Sequence, residues 1–301
     1  MIDCVILGGG PAGLTASIYL SRYNIQNKVI AKGFGMVSET PDVENYPGFK
    51  SISGLELIQK FTDQAQHFGA EVLYEEVEKI SKLEKSFKVK TNMAEHEAKT
   101  IVLAMGTHKR ELNVSGEKEF KGKGVSYCAT CDGAFFKEKS VGVVGGGNSA
   151  LTVALTLSSF KNKVHLLVRS DFTGDKILID RVNKDENIII HKDVVVSEVY
   201  GEEMMQGVVL QHRKKDETEK LELDGLFVEV GLIPNTNFVK DFVELNDMGL
   251  IVVNEALRTS VPGVFAAGDV TTGSNNMWQI ITAAAEGAIA ANSVNEYLSR
   301  L

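Results

Sequence analysis

The chain has 301 residues, 44% hydrophobic and 24% charged, enough for one large or two ordinary packed domains and incompatible with global disorder. Forty acidic against 32 basic residues give a formal net charge of −8, and a surface of that sign repels phosphate backbones, so nucleic acid is not an expected partner. The chain lacks an apolar run of membrane-spanning length and opens on MIDCVILGGG without a signal peptide's basic region, so a soluble cytoplasmic α/β protein is expected.

In chain order, residues 3–22 (DCVILGGGPAGLTASIYLSR) predict a buried strand, a glycine turn and a helix, with a second strand in KVIA at 28–31. Further strands are predicted at 87–91 (FKVKT) and 100–107 (TIVLAMGT). Residues 140–159 (SVGVVGGGNSALTVALTLSS) then repeat the opening pattern and are followed by the strand KVHLLV at 163–168. Strands near 188–190, 194–199, 207–213 and 225–231 come next, before a last strand and turn at 262–270 (PGVFAAGDV) and a helix over 283–298. Two βαβ beginnings predict two Rossmann-like, three-layer α/β domains, one inserted in the other. The expected division places 1–112 and 237–301 in the first domain and 113–236 in the insert, with hinges near Asn113–Gly116 and Pro234–Asn237.

Gly8, Gly10 and Gly13 fit G-x-G-x-x-G, and Gly145, Gly147 and Ala150 fit its G-x-G-x-x-A variant. The first glycine permits the tight turn, the second lets backbone approach a pyrophosphate, and the third position packs helix on strand. One such turn is often mere punctuation, whereas two in correct βαβ context point to two dinucleotides. Lys32 and Arg169 stand where an acid would hold a ribose 2′-hydroxyl, so spacing alone does not assign the nucleotides.

Two of the three cysteines form the pair Cys128–Cys131, and Cys4 reads as a small residue of a buried strand. Zinc needs four ligands, and the six histidines include no His-x₃₋₅-His pair to complete a site within the chain. Thiol–disulfide chemistry needs a thiolate, a resolving sulfur and a proton source; the spacing supplies the first two. Asp132 is a candidate general acid, or equally a helix-capping aspartate.

GGGPAG at the N-terminus, ENYPG at 44–48, CATCD at 128–132, GGGNSA at 145–150 and AAGDV at 266–270 stand here in one order. Together they resemble the low-molecular-weight thioredoxin reductases, two-domain flavoprotein disulfide reductases, over essentially the whole chain. The resemblance implies FAD on Gly8, Gly10, Pro11, Ala12 and Gly13, with Gly268 and Asp269 on the flavin's ribityl–phosphate region. Asn45, Gly106, Gln279 and Ile280 are implied as further FAD contacts. It implies NADPH on Gly145, Gly147, Asn148, Ser149 and Ala150, a redox role for Cys128 and Cys131, and Asp132 as the acid. Cys131 would face the flavin and Cys128 would attack the disulfide of thioredoxin or a thioredoxin-like partner. A cytoplasmic homodimer and a rotation of one domain about the two linkers are implied as well.

The sequence departs from the family at the NADPH segment H-R-R-x-x-x-R, which here reads VRSDFTGDK at 168–176. Arg169 is retained, Ser170 replaces the second arginine, and Thr173 falls near the last. Thr152 and Val153 replace paired glutamates, Leu232 a histidine, and Met36–Val37 part of a G-G-Q. NADPH held by Arg169 with Lys163 or Lys176, NADH, or a ferredoxin or deazaflavin donor are the alternatives, and family weight favours NADPH. A different disulfide partner and a non-catalytic flavin redox sensor are the rival functions.

Overall fold

A computed structural model describes residues 1–40 and 42–301, which divide into two compact units: Met1–His108 with Ile233–Leu301, and Lys109–Leu232. In the first unit β1 (Ile2–Leu7), α1 (Pro11–Arg22), β2 (Asn27–Ala31), α2 (Gly54–His67) and β3 (Glu71–Tyr74) build the opening βαβ units. A meander of β4 (Val77–Lys82), β5 (Phe87–Thr91) and β6 (Glu95–Leu103) follows. The connecting strand β7 (Thr107–Lys109) leads to the second unit.

That unit contains β8 (Val125–Ser126), the single turn α3 (Ala129–Asp132), β9 (Ser140–Val144), α4 (Asn148–Ser159), β10 (Lys163–Val168), α5 (Lys176–Lys184) and β11 (Ile188–Lys192). The strands β12 (Val194–Gly201), β13 (Met205–His212), β14 (Thr218–Glu222) and β15 (Gly225–Val228) complete it. The chain returns through β16 (Leu232–Pro234), which pairs with β7, and ends in β17 (Val264–Ala266) and α6 (Ile280–Leu298).

The first sheet has the order β3-β2-β1-β6-β5-β4. β1, β2, β3 and the second half of β6 run parallel, with β17 parallel to β6, while β4 and β5 are antiparallel. Side-chain alternation gives β1 two buried faces. Cys4 and Ile6 face the α1/α6 layer, and Val5 and Leu7 face the opposite core. Burial pushes the Cys4 thiol up to about 12, which removes it from thiol chemistry. The second unit's sheet, β11-β10-β9-β15-β8, is parallel throughout. Val141, Val143, Val164, Leu166 and Phe227 face α4, and Val144, Leu167, Leu226 and Val228 pack under the antiparallel β12-β13-β14 layer.

Two strands end earlier than the sequence predicts. β6 ends at Leu103 and β15 at Val228, because Gly106 (φ 60°) and Gly231 (φ 109°) turn the chain out of each sheet toward the connections. The last helix begins already at Ile280, its N-terminus closed by a reciprocal Gln279–Thr282 capping box. Asn113–Gly116 is not a free hinge. Glu117 accepts the Leu112 and Asn113 N–H groups at 2.7 and 2.6 Å, and Ser115 bridges to Glu198. That stretch belongs to the second unit.

α6 crosses α1 where Gly287 leaves no room for a side chain: a Cβ there would collide with the Ala12 backbone. Gly287→Ala is expected to force the helices apart and cost the first unit about 1–3 kcal/mol. A lowered denaturation midpoint for that unit checks this; an unchanged one would show that the helices yield freely.

Candidate active site

In both units the site begins where a parallel strand ends. Gly10 and Gly147 are the N-cap residues of α1 and α4, with no side-chain cap and no acid in the first turn, so the leading N–H groups and the positive helix end remain available to an anion. Gly8 has φ 118° and presses on the Ala104 carbonyl, while Gly13 presses on that of Gly8. Gly145 has φ 144°, and its missing side chain accommodates the Glu229 carbonyl and the Ala150 methyl. Larger residues would open both turns.

The first unit gathers its predicted residues at one end of the sheet. Ala12 lies against Gly268, where a Cβ would stand 2.9 Å from the alanine's own, and this brings Asp269 beside the first glycine turn. Asn45 Nδ2 donates to Gln279 Oε1 at 2.9 Å across 234 positions of sequence. Ile280 opens α6 and packs in the cluster that contains Leu14. Gly106 accepts the Asn235 N–H at 3.0 Å, just beyond the Ala104–Met105 segment that faces Gly8.

Glu286, absent from the sequence expectations, organises this end. Its buried carboxylate accepts from Gly268 N (2.7 Å), Thr271 Oγ1 (3.0 Å) and Ser274 Oγ (2.5 Å), fixing the turn that carries Asp269. A lone carboxylate inside AAAEGAIAA was the readable signal. Burial, and secondarily Glu286, push the Asp269 carboxyl up to about 6. The folded protein therefore favours protonated Asp269. Its contribution to stability is full below about pH 4 and is lost as pH rises through about 6. In flavin-free protein, the unfolding free energy of the first unit, read from its own transition, should fall by about 2–3 kcal/mol across that window, and Asp269→Asn should flatten this arm. Urea titrations between pH 4 and 7.5 check it; an unaltered slope in Asp269→Asn would exclude this carboxyl as the source.

In the second unit the disulfide Cys128–Cys131 follows β8, at the same sheet edge as the glycine turn after β9. Cys128 caps the α3 turn, its Sγ accepting the Cys131 N–H at 3.2 Å. Cys131 is exposed and Cys128 half-buried. Asp132 caps no helix; its Oδ2 accepts from the Ser126 hydroxyl at 2.7 Å, and Ser126 Oγ accepts the Cys128 N–H at 3.0 Å.

Beneath the disulfide lies a network that sequence reasoning missed. Lys109 Nζ donates to the Tyr127 carbonyl (2.5 Å) and to Glu229 Oε1 (2.7 Å), with the Glu229 side chain 4% exposed. The Tyr127 hydroxyl donates to Glu117 at 2.5 Å, and burial together with that carboxylate holds its phenol well above the ordinary range. Glu229 thus joins the two halves of the edge: its backbone carbonyl meets Gly145, and its carboxylate holds the lysine that fixes Tyr127.

Asn148 Oδ1 accepts the Asp175 N–H at 2.6 Å, and Thr173 N–H donates to the Gly146 carbonyl at 2.8 Å, so the segment after β10 folds back on the second fingerprint. Ser149 sits in the first turn of α4, and Arg169 follows β10, exposed. Lys163 opens β10 at the far end from Arg169, roughly 15–20 Å away at strand rise, which removes it as a helper at that site. Lys176 is the first residue of α5.

Two uncapped glycine turns on two dinucleotide folds, with a disulfide in the second, define a nucleotide-dependent disulfide oxidoreductase. The family model for pyridine nucleotide-disulphide oxidoreductases matches residues 2–287, and the chain belongs to that family, among its thioredoxin reductases. It is 39% identical over 303 aligned positions to thioredoxin reductase of Bacillus subtilis (strain 168), covering 99% of this chain and 95% of that protein. The crystal structure of Lactococcus lactis thioredoxin reductase is similar at TM-score 0.97 and 36% identity, with 100% of both chains covered. That of T. acidophilum thioredoxin reductase gives 0.94 and 40%, with 98% of both covered.

The first unit's residues fit the FAD that this family implies. The α1 end offers uncapped N–H groups, and Gly10 has no atom near its missing side chain, so its backbone is approachable. Among the described residues the Asp269 carboxylate has no hydrogen-bond partner, and the buried Trp278 Nε1–H beside Gln279 likewise has none. Both are polar groups that a bound flavin nucleotide would satisfy.

Proposed function

We propose that the protein is an FAD-dependent thioredoxin reductase that takes electrons from reduced nicotinamide, NADPH by preference, and delivers them to the disulfide of thioredoxin. The observation that carries this reading is the Cys128–Cys131 disulfide at the edge of a dinucleotide fold, in a chain whose other unit fits a flavin. FAD, when bound, supplies the two-electron link between the nicotinamide and this disulfide.

The protein's own part is thiol chemistry. Once the pair is reduced, Cys128 attacks one sulfur of the partner's disulfide, forming a mixed disulfide and expelling the other sulfur as thiolate. Cys131 then attacks Cys128 Sγ, which re-forms the intrachain disulfide and expels the second thiolate. Each departing thiolate takes up one proton. The Cys131 N–H on Cys128 Sγ supports Cys128 as the attacking sulfur, because a donated hydrogen bond favours the thiolate over the thiol. Asp132, two hydrogen bonds from the Cys128 backbone through Ser126, is the proposed proton carrier.

The thermodynamics are narrow. Thioredoxin stands near about −270 mV, and roughly 30 mV shifts a two-electron equilibrium tenfold, so the donor must lie near or below that potential. An anaerobic titration with NADPH and with NADH, following flavin absorbance, tests the donor. Stoichiometric bleaching by NADPH followed by thioredoxin turnover is expected. Bleaching by dithionite but by neither nucleotide would redirect the search to a ferredoxin or deazaflavin donor. A homodimer in the cytoplasm belongs to the same reading, and sedimentation of the purified protein tests the dimer.

A further inference from the structure

In a dinucleotide fold the end of the second strand meets the adenosine ribose, where an acid suits the 2′-hydroxyl of NADH and an arginine the 2′-phosphate of NADPH. Here that strand is β10, and Arg169 follows it. The segment behind Arg169 is fixed on the nucleotide turn by Thr173 on Gly146 and Asp175 on Asn148, and Gly174 has no room for a side chain against Leu151 and Asn148. One arginine is a weak grip on a phosphate dianion, which favours several charge-assisted contacts.

A second guanidinium stands at the same place, from a part of the chain with no local sequence link to the fingerprint. Arg213 follows β13, and its Nη1 donates to the Arg169 carbonyl at 3.1 Å. Its own N–H donates to the Asp193 carbonyl at 2.8 Å, immediately after β11. The ends of β10, β11 and β13 therefore converge on one edge.

The charges there are sorted. Lys192 is paired with Asp171 (3.4 Å), Lys214 with Asp193 (2.7 Å) and Lys215 with Glu217 (3.7 Å). Among the described residues neither Arg169 nor Arg213 has a carboxylate within ion-pair distance. In a chain with 40 acids to 32 bases, two neighbouring exposed arginines left unpaired while the lysines around them are neutralised form an anion-seeking edge.

We propose that Arg169 and Arg213 together grip the 2′-phosphate of NADPH. Arg213 replaces, from the β13 turn, the arginine that Ser170 does not provide, and it sets the preference for NADPH over NADH. The inference rests on the reading of the second unit as the nicotinamide-nucleotide site.

The test is calorimetric binding of 2′-phospho-ADP-ribose and ADP-ribose to the oxidised holoenzyme and to its Arg213→Ala, Arg213→Lys and Arg169→Ala variants. The unaltered protein should bind the 2′-phosphorylated compound at least about tenfold more tightly. Arg213→Ala should remove roughly tenfold of that affinity while leaving ADP-ribose binding unchanged, and Arg213→Lys should restore only part of it. KM for NADPH should rise in parallel, with KM for NADH unmoved. Equal weakening of both compounds would reveal a merely structural role for the Arg213–Arg169 contact, and no change in either would also overturn the proposal. If the unaltered protein binds neither compound, the nucleotide reading itself fails and the proposal falls with it.

Discussion

Cys131→Ser is expected to capture oxidised thioredoxin as a stable mixed disulfide, whereas Cys128→Ser should capture none. In the first variant the Cys128 thiolate, which would receive the Cys131-position N–H, attacks the partner and forms an S–S bond that no resolving sulfur can break. In the second, the serine hydroxyl is far too weak a nucleophile, and the exposed Cys131 is left as a thiol without that hydrogen bond. Both variants should lose thioredoxin turnover by roughly 10³-fold or more, as removal of a nucleophile generally does. Both should keep flavin bleaching by the nicotinamide donor, because neither cysteine builds a glycine turn. Thiol titration supplies an internal control: Cys4 is buried with its pKa pushed up to about 12, so it stays silent in native protein. Mass spectrometry of the trapped adduct reads the outcome. An adduct on Cys128→Ser, and none on Cys131→Ser, would reverse the two roles. No adduct on either, with turnover preserved, would remove the pair from the reaction, whereas partner binding by the unaltered protein without any turnover would favour the redox-sensor reading.

The residues that sequence made legible are those whose signal is local. The glycine turns stand out because Gly8 and Gly145 take a backbone conformation that other residues resist, next to strands buried on both faces. Cys128 and Cys131 are bound by a spacing that a single turn closes. The helix Gly54–His67 could have been placed too, from Ser53-x-x-Glu56 and the apolar Leu57, Ile58, Phe61 and Ala65, but it carries none of the chemistry. What the sequence hid is held by partners distant along the chain. Lys109 and Glu229 meet from opposite ends of the inserted segment, and Arg213 reaches Arg169 from another sheet. Neither pairing leaves a periodic or compositional trace, because any strand end tolerates a charge. Glu286 is the intermediate case, since a carboxylate in an otherwise apolar helix announces a partner without naming it.

Breaking the Lys109–Glu229 pair should therefore be the most damaging change outside the cysteines and glycine turns. The Glu229 side chain is 4% exposed and that of Lys109 16%, so neither charge can recover its hydration if the other is removed. Lys109→Met is expected to destabilise the second unit by about 3–5 kcal/mol, because it breaks one side of a largely buried ion pair. Lys109→Met combined with Glu229→Leu should be less damaging than Lys109→Met alone, because an apolar pair leaves no half-broken ion pair. The chain has two units and a single unfolding free energy is ill-defined, so the measurement is hydrogen exchange resolved by segment, read on β8, β9 and β15. A loss below about 1 kcal/mol in Lys109→Met would place the pair among ordinary surface bridges. The same variant frees the Tyr127 carbonyl, one residue before Cys128, and the disulfide should then be held less firmly against Ser126 and Asp132. Its reduction by dithiothreitol should change in rate, and that change should persist in the double variant, which restores stability but not the hydrogen bond to Tyr127. A rate that recovers together with stability would show that the lysine steadies the unit as a whole rather than the cysteine segment.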